Sequence, residues 1–249
     1  MKIVAIADYL GEKANLDPFR RVVKEELPDL LLFTGGVTNG EEHIKELELS
    51  KKEARDPERT KDELFKERIK KKEDFEVFFD FLKSLDIPCM IVPGKTDSPL
   101  GLFQTTLSDR LEHANMHYLH LKFVQMEGVL FSGCGGLLAE DSEDFFELRL
   151  DKDSVLNNMK NLRSFKQEKI LLFHTPPTLE PGDPTVPGSV YVDELIDALS
   201  PKMLFYGLAK KNGMKIIDDC VTINPGSLTE GEYVMVNTTT MKVDFKKLG

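Results

Sequence analysis

The sequence predicts an α/β fold in which two sheets pack as a sandwich and helices cover the outside. Five short apolar runs, each ending in a polar or glycine-containing loop, predict buried strands. Helical patterns separate several of these runs, and short strand patterns at hairpin spacing follow the last one. The apolar runs are residues 3–7, 30–33, 87–92, 170–173 and 203–206. Ligands bind beyond the carboxyl ends of strands in open α/β sheets, so these five strand ends predict one shared rim.

The segment between the first two predicted strands favours a parallel pair. Asp17 and Pro18 are typical of a helix start, and Phe19, Val22 and Val23 give that helix one apolar face. A strand, a helix and a second strand form a right-handed crossover by default.

Residues 41–85 form a long, densely charged helical insertion. Apolar residues recur there at helical spacing, and Asp56-Pro57 predicts a break between two helices. One interpretation is a solvated helical pair with a single face on the domain. The other is a lid or a partner-binding surface. The run 70–72 of three lysines precedes Glu73 and Asp74, so a nucleic-acid patch is not expected there.

The rest of the chain supplies further helices and strands. Helices are predicted from Ser98-Pro99 to residue 111, over 154–165 and over 190–199. Strands are predicted over 117–124, 129–132, 215–217, 221–223, 233–237 and 242–245. An acidic loop spans 139–144, and a loop rich in Pro and Gly spans 176–188. No linker or internal repeat interrupts the pattern, so residues 1–249 are predicted to form a single domain.

Composition restricts the possible partners. The chain has 249 residues, a net charge of −10 and a pI near 5.1. Such a charge gives no general attraction for nucleic acid or an anionic membrane, and no segment reaches the ~20 apolar residues of a membrane span.

Cys89, Cys134 and Cys220 lack metal-site spacing, so reduced thiols and a cytoplasmic location are predicted. Abundant Glu and Lys without Trp is typical of a thermophile protein.

The order of residues at the strand ends resembles that of the calcineurin-like metallophosphoesterases. The family pattern is D-x-H, G-D-x-x-D, G-N-H-[DE], a lone His and G-H-x-H, and the resemblance covers nearly the whole chain. It implies a four-layer α/β/β/α sandwich of two mixed sheets. It also implies phosphoester hydrolysis by two cations about 3.5–4 Å apart that share a bridging carboxylate.

This chain departs from the family at most of the chemical positions. The retained residues are Asp8, Gly94, Asp97, His174 and Gly207. The replaced positions hold Leu10, Gly36, Asn39, Lys95, Thr96, Leu208 and Lys210. Gly36 stands where the family has its bridging Asp, Lys95 where it has the metal-binding Asn, and Thr96 where it has the His that assists the leaving group.

Only two family ligands therefore remain, and they belong to opposite halves of the metal pair. One carboxylate, from Asp8, and one imidazole, from His174, cannot bind two divalent ions without a bridge. The lysines at this rim would also repel cations. We therefore expect a degenerate site with no bimetallic centre and no cofactor. Any metal that did bind would be ligated by Asp8 and His174.

Structural roles remain open for the same residues. Asp8 is expected either to cap a turn or to persist as a former ligand, and His174 to be a hydrogen-bonded histidine. Asp97 is expected to mark a helix start. Lys95 is interpreted either as a surface residue or as a partner of Asp8 or Asp97 in an ion pair.

Three functions follow from these patterns. In the first, a non-catalytic protein binds a protein partner or a phosphate-like anion at the rim. That anion would contact Lys95, Thr96, Lys210 and the backbone amides of Gly35 and Gly36. In the second, a rebuilt phosphoesterase site uses one divalent metal such as Mn or Mg, bound by Asp8, Asn39, Asp97 and His174 with help from acidic residues of the 139–144 loop. In the third, a scaffold docks through residues 41–85, and a homo-oligomer is one form of it.

Overall fold

Strands account for most of the core in the computed structural model of the chain. The structure describes residues 1–58, 60–111, 115–139, 147–178, 188–209 and 211–249. The strands are β1 (Lys2–Ile6), β2 (Leu30–Phe33), β3 (Cys89–Ile91), β4 (Met116–Tyr118), β5 (Phe123–Met126), β6 (Val129–Cys134), β7 (Leu137–Leu138), β8 (Arg149–Leu150), β9 (Lys169–Phe173), β10 (Met203–Tyr206), β11 (Gly213–Ile217), β12 (Cys220–Asn224), β13 (Glu232–Asn237) and β14 (Lys242–Lys247).

Helices connect most of the parallel strands. They are α1 (Leu16–Glu26), α2 (Glu41–Glu53), α3 (Asp62–Lys83), α4 (Leu100–Leu111), α5 (Lys152–Met159) and α6 (Val190–Leu199). No helix among the described residues is long and apolar enough to cross a bilayer.

Two six-stranded mixed sheets form the centre of the molecule. The first has the order β14-β13-β1-β2-β3-β4. Strands β1 to β4 are parallel to one another, β13 is antiparallel to β1, and β14 is antiparallel to β13. The second has the order β11-β12-β10-β9-β6-β5, in which the four central strands are parallel and both edge strands are antiparallel. Strands β7 and β8 form a separate small pair.

The alternation of side chains along the strands creates three apolar layers. In β1, Val4 and Ile6 pack with Phe19 of α1, whereas Ile3 and Ala5 face the second sheet. The second sheet repeats the pattern on its own outer face, which packs against α5 and α6. Successive side chains on a strand point to opposite faces, so each sheet contributes to two cores. The predicted four-layer α/β/β/α sandwich is confirmed.

The helical segment 41–85 divides into an arm and a core helix. The C-terminal half of α3 places Phe75, Phe78 and Phe79 in the outer core of the first sheet, all 0% exposed. Helix α2 instead packs on the N-terminal half of α3, where Leu47 contacts Leu64. Only α2 and that half of α3, together called the arm below, project from the sandwich.

Charged side chains join α2 to α3 and to the segment that connects the two helices. The carboxylate of Glu67 on α3 accepts hydrogen bonds from the first-turn amides of Glu42 and His43, each 2.8 Å long. At the other end, the carboxylate of Glu46 accepts bonds from Arg55 at 2.6 Å and Lys61 at 2.5 Å. A carboxylate at a helix N-terminus satisfies amides that have no intrahelical partner.

Two predicted elements differ from the structure in their extent. The single strand predicted over 117–124 is divided, because Leu121 adopts a left-handed backbone with φ 55° and the chain passes from β4 in one sheet to β5 in the other. The helix predicted over 154–165 begins earlier, at Lys152, where the side chain of Asp151 caps it. It continues only as a 3-10 helix over Lys160–Ser164.

Truncating one core phenylalanine of α3 tests the division of this segment. We expect Phe78→Ala to lower the free energy of unfolding by about 3–5 kcal/mol, because it opens a cavity in a packed core. The same change at Phe65, which is 65% exposed on the same helix, should shift it by no more than about 0.5 kcal/mol. Urea denaturation of both variants measures the difference. Equal losses would mean that the two halves of α3 are equally buried.

Candidate functional site

A cleft of about 540 Å³ lies where the predicted strand ends converge. Its walls come from the loops after β1, β2, β3, β9, β10 and β12, with one residue from α2. The lining residues are Asp8, Leu10, Gly36, Asn39, Ile44, Lys95, Thr96, His174, Leu208, Ser227, Thr229 and Glu230. Six of the predicted rim residues are thus brought together: Asp8, Gly36, Asn39, Lys95, Thr96 and His174.

The carboxylate of Asp97 joins the loops after β2 and β3. It is fully buried and accepts hydrogen bonds from the amides of Gly94 at 2.6 Å, Gly36 at 3.1 Å, Val37 at 2.9 Å and Thr38 at 2.9 Å. Charge-assisted bonds of this kind are among the stronger ones in proteins. Asp97 was expected to mark a helix start, but its carboxylate binds two loops together.

The amide of Gly36 is consequently already used. The sequence had suggested that the Gly35 and Gly36 amides bind an anion, but the chain's own Asp97 carboxylate takes the Gly36 N–H. Thr96 and Thr38 also join the loops after β2 and β3, because each hydroxyl bonds to the backbone carbonyl of the other residue. The Thr96 hydroxyl donates to the Thr38 carbonyl at 2.5 Å, and the Thr38 hydroxyl donates to the Thr96 carbonyl at 2.8 Å.

The carboxylate of Asp8 fills the space beside Gly36. A Cβ atom built on Gly36 would lie 2.2 Å from Asp8 Oδ1, which no side chain tolerates, and Gly36 has a φ of +87°. The residue that replaces the bridging Asp of the family therefore must be small, because the carboxylate of Asp8 occupies that volume.

Burial dominates the electrostatics of Asp8. It raises the pKa of this carboxyl to about 8, and the charge of Asp97 raises it further, against the opposing effects of the Leu208 amide and Lys95. The Asp8 carbonyl accepts bonds from the Thr229 hydroxyl at 2.8 Å and the Ser227 hydroxyl at 3.2 Å. The backbone of this retained residue is thus held by two hydroxyl groups.

His174 is a buried, hydrogen-bonded histidine, as predicted. Its Nδ1 lies 2.8 Å from the Thr34 carbonyl oxygen, which fixes the tautomer with a proton on Nδ1. Burial lowers the pKa of the ring to about 4, partly opposed by that bond and by Asp97. The ring is therefore neutral at pH 7, and Nε2 carries a lone pair.

Lys95 pairs with a residue that the sequence did not indicate. Its Nζ lies 3.7 Å from Oε1 of Glu147, whose other carboxylate oxygen lies 3.3 Å from Nε of Arg149. The ion pair expected with Asp8 or Asp97 is therefore not the one that forms. Glu147 is far from Lys95 in sequence, and local patterns carry no signal for that contact.

Apolar side chains occupy two of the lost ligand positions. Leu10 and Leu208 stand where the family has histidines, and both line the cleft. Each has a left-handed backbone, with φ values of 51° and 67°. Ile44 of α2 adds a third aliphatic side chain from the arm.

Sequence reasoning missed Lys71. It belongs to the helical pair for which one interpretation was a solvated surface, yet it is 1% exposed, and its Nζ lies 3.3 Å from the Ser98 carbonyl beside the Asp97 loop. Burial lowers the pKa of this amine to about 8, against the opposing attraction of Asp97. Its spacing from Phe75 and Phe78 places it on the core face of α3, and this periodic signal was available in the sequence.

Some predicted features lie outside the described residues. Lys210 is one of them, as are residues 140–146 of the acidic loop region and residues 179–187 of the Pro- and Gly-rich loop. Within the described ranges, no group of three or more His, Cys, Asp or Glu side chains is placed to bind a metal ion.

A family model described as "Metallophosphoesterase, calcineurin superfamily" matches residues 1–248. The chain belongs to this family. A search of curated proteins found no match.

Solved structures agree on the fold. One crystal structure has 27% sequence identity and a TM-score of 0.90, and the match covers 100% of this chain and 99% of the other. The TT1561 protein of Thermus thermophilus has 22% identity and a TM-score of 0.81, with the same coverage. A dimetal phosphatase from Danio rerio has 10% identity and a TM-score of 0.65, again over 100% and 99% of the two chains.

The dimetal centre implied by the family does not fit the residues present. The bridging position, Gly36, has no room for a carboxylate, and Leu10 and Leu208 offer no donor atoms. The carboxylate of Asp97 is engaged by four backbone amides. Asp8 and His174 are the only family ligands retained, so no catalytic step through a metal pair is assigned to these residues.

Adding one methyl group at Gly36 tests the contact with Asp8. We expect Gly36→Ala to lower the free energy of unfolding by at least about 2 kcal/mol, from the positive φ and the collision with the carboxylate. Gly101→Ala is the matched control, since a Cβ there meets nothing within 4 Å and Gly101 lies in α4. That variant should be neutral or slightly stabilised. A Gly36→Ala protein of unchanged stability would show that Asp8 does not fill this space.

The buried amine of Lys71 gives a pH signature. Its pKa of about 8 in the folded chain is below the usual 10.5, so the unfolded chain binds more protons between these values. The stability contribution of Lys71 therefore rises with pH across this window. Subtracting the pH–stability profile of Lys71→Met from that of the parent should isolate this rise. Lys72→Met, at an exposed neighbour, should leave the profile unchanged, and a parallel pair of parent and Lys71→Met profiles would contradict the assignment.

Proposed function

We propose that this chain is a member of the metallophosphoesterase family that binds a small ligand in its cleft without hydrolysing a phosphoester. The observation that carries the proposal is the Asp8 carboxylate, whose Oδ1 would lie 2.2 Å from any Cβ at Gly36. Two-metal hydrolysis requires a bridging group and ligands on both ions. Here the bridging volume is filled by a residue from another position.

The alternative of a single-metal hydrolase with a rebuilt site has less support. That site would recruit Asp97 as a ligand, and Asp97 would have to give up hydrogen bonds to four backbone amides. Buried acceptors and donors left without partners each cost about 1–3 kcal/mol. A metal bound at this point would have to compensate for several such losses.

Docking of a protein, including a second copy of the chain, is a second candidate function of the arm. Phe65 and Ile69 are 65% and 47% exposed and lie one turn apart on α3. Deleting the arm with all of α3 would remove core phenylalanines, so Phe65→Ser combined with Ile69→Ser is the better test. A change in solution mass caused by this pair would support docking, whereas a monomer in both forms would exclude a homo-oligomer.

Metal content and turnover test the main proposal together. Protein purified without added metal should contain far less than one equivalent of any divalent ion. With added Mn²⁺ or Mg²⁺, bis-p-nitrophenyl phosphate and p-nitrophenyl phosphate should be hydrolysed no faster than in a blank. The parent, His174→Ala and the control His117→Ala should be indistinguishable. Turnover that His174→Ala abolishes and His117→Ala retains would overturn the proposal.

A further inference from the structure

The apolar wall of the cleft stands where relatives have metal ligands. Leu10 and Leu208 replace two family histidines, and Ile44 approaches from the arm. All three side chains are partly exposed to the cleft. Aliphatic side chains in a concave site are a usual feature of small-molecule pockets, and the volume of about 540 Å³ lies within their range of about 300–1,000 Å³.

Leu10 and Leu208 both have a left-handed backbone that is unfavourable for leucine. Leu10 has a φ of 51° and Leu208 a φ of 67°, and a left-handed backbone costs a leucine about 1–2 kcal/mol. Asn, Asp and His are several-fold enriched in that conformation. Strained residues are often found at ligand sites. Leu27 has the same conformation at an exposed helix end, so the strain supports a binding role only together with the position of Leu10 and Leu208 in the cleft.

The polar groups of the cleft do not favour an anion. The ammonium of Lys95 pairs with Glu147, and the amides of Gly36 and Thr38 donate to Asp97. The other ionisable side chains that line the described part of the cleft are the carboxyl groups of Asp8 and Glu230. In that part of the cleft a phosphate would therefore meet the carboxyl groups of Asp8 and Glu230, the Lys95 ammonium, which already pairs with Glu147, and two amides that already donate to Asp97.

Two other side chains that line the cleft, those of Asn39 and His174, can receive an uncharged polar group. The carboxamide of Asn39 both donates and accepts hydrogen bonds. The His174 ring, whose Nδ1 is bonded to Thr34, has an acceptor at Nε2. A hydroxyl or amide with an apolar body matches this combination, because the polar end and the aliphatic wall are then both satisfied.

We infer that the ligand of the cleft is an uncharged amphiphilic small molecule whose apolar body packs against Leu10, Ile44 and Leu208. This inference rests on the proposed function, since it takes the cleft to be a binding site and not a hydrolytic one. Leu208 is the residue of that wall chosen for the test, because Asn suits the left-handed backbone at its position.

A matched aromatic series tests the ligand class. The probes are naphthol, naphthoate, naphthyl phosphate and inorganic phosphate, with binding measured by ligand-observed NMR and titration calorimetry. Naphthol should bind most tightly, and Leu208→Asn should weaken it at least tenfold. Asn suits a left-handed backbone, so this variant should fold at least as stably as the parent.

Leu27→Asn is the matched control. Leu27 also has a left-handed backbone, with a φ of 47°, but it is 74% exposed at the C-terminus of α1. The Leu27→Asn protein should gain the same stability from placing Asn in a left-handed backbone, and its affinity for naphthol should be unchanged. Naphthol binding that is absent, or equal in the parent and Leu208→Asn, would overturn the inference.

The remaining outcomes separate the two proposals. Tighter binding of naphthoate, naphthyl phosphate or inorganic phosphate, without turnover, would overturn the uncharged ligand class and leave the non-hydrolytic cleft intact. Release of naphthol from naphthyl phosphate in a His174-dependent way would overturn the proposed function itself.

Discussion

The carboxylate of Asp97 is the interaction on which the cleft depends. It binds the amides of Gly94 in its own loop and of Gly36, Val37 and Thr38 in the loop after β2. Two loops from neighbouring parallel strands therefore share one buried anion. The positions of Thr96, Lys95 and Gly36 around the cleft follow from this junction, because each lies within a residue or two of an atom that Asp97 holds.

The same geometry explains how a family scaffold can persist without the family's ion-binding side chains. The Asp97 carboxylate is buried among backbone amides, and burial raises the pKa of Asp8 to about 8. Lys71 brings a positive charge behind the Asp97 loop. Charged groups in a low-dielectric interior must either become neutral or be stabilised by fixed dipoles. Asp8 is an example of the first, and Asp97 of the second.

Sequence patterns predicted the layers and the rim because both depend on local periodicity. The strand ends at Asp8, Thr34, Gly94, His174 and Gly207 could be located from apolar runs alone. The partner of Lys95 and the use of the Gly36 amide could not, since they depend on contacts between residues far apart in the chain. The burial of Lys71 lies between these cases. Its position on the apolar face of the helix predicted burial, whereas its charge predicted exposure to solvent.

One helix belongs to two parts of the molecule at once. The last turns of α3 are fixed among the phenylalanines under the first sheet, while its first turns carry α2 and, through it, Ile44 at the mouth of the cleft. A small rotation of the anchored end of a straight helix would displace its opposite end by a larger distance. Packing of α3 beneath the first sheet therefore helps to set the position of Ile44 at the cleft, although the phenylalanines there are not among the residues that line it.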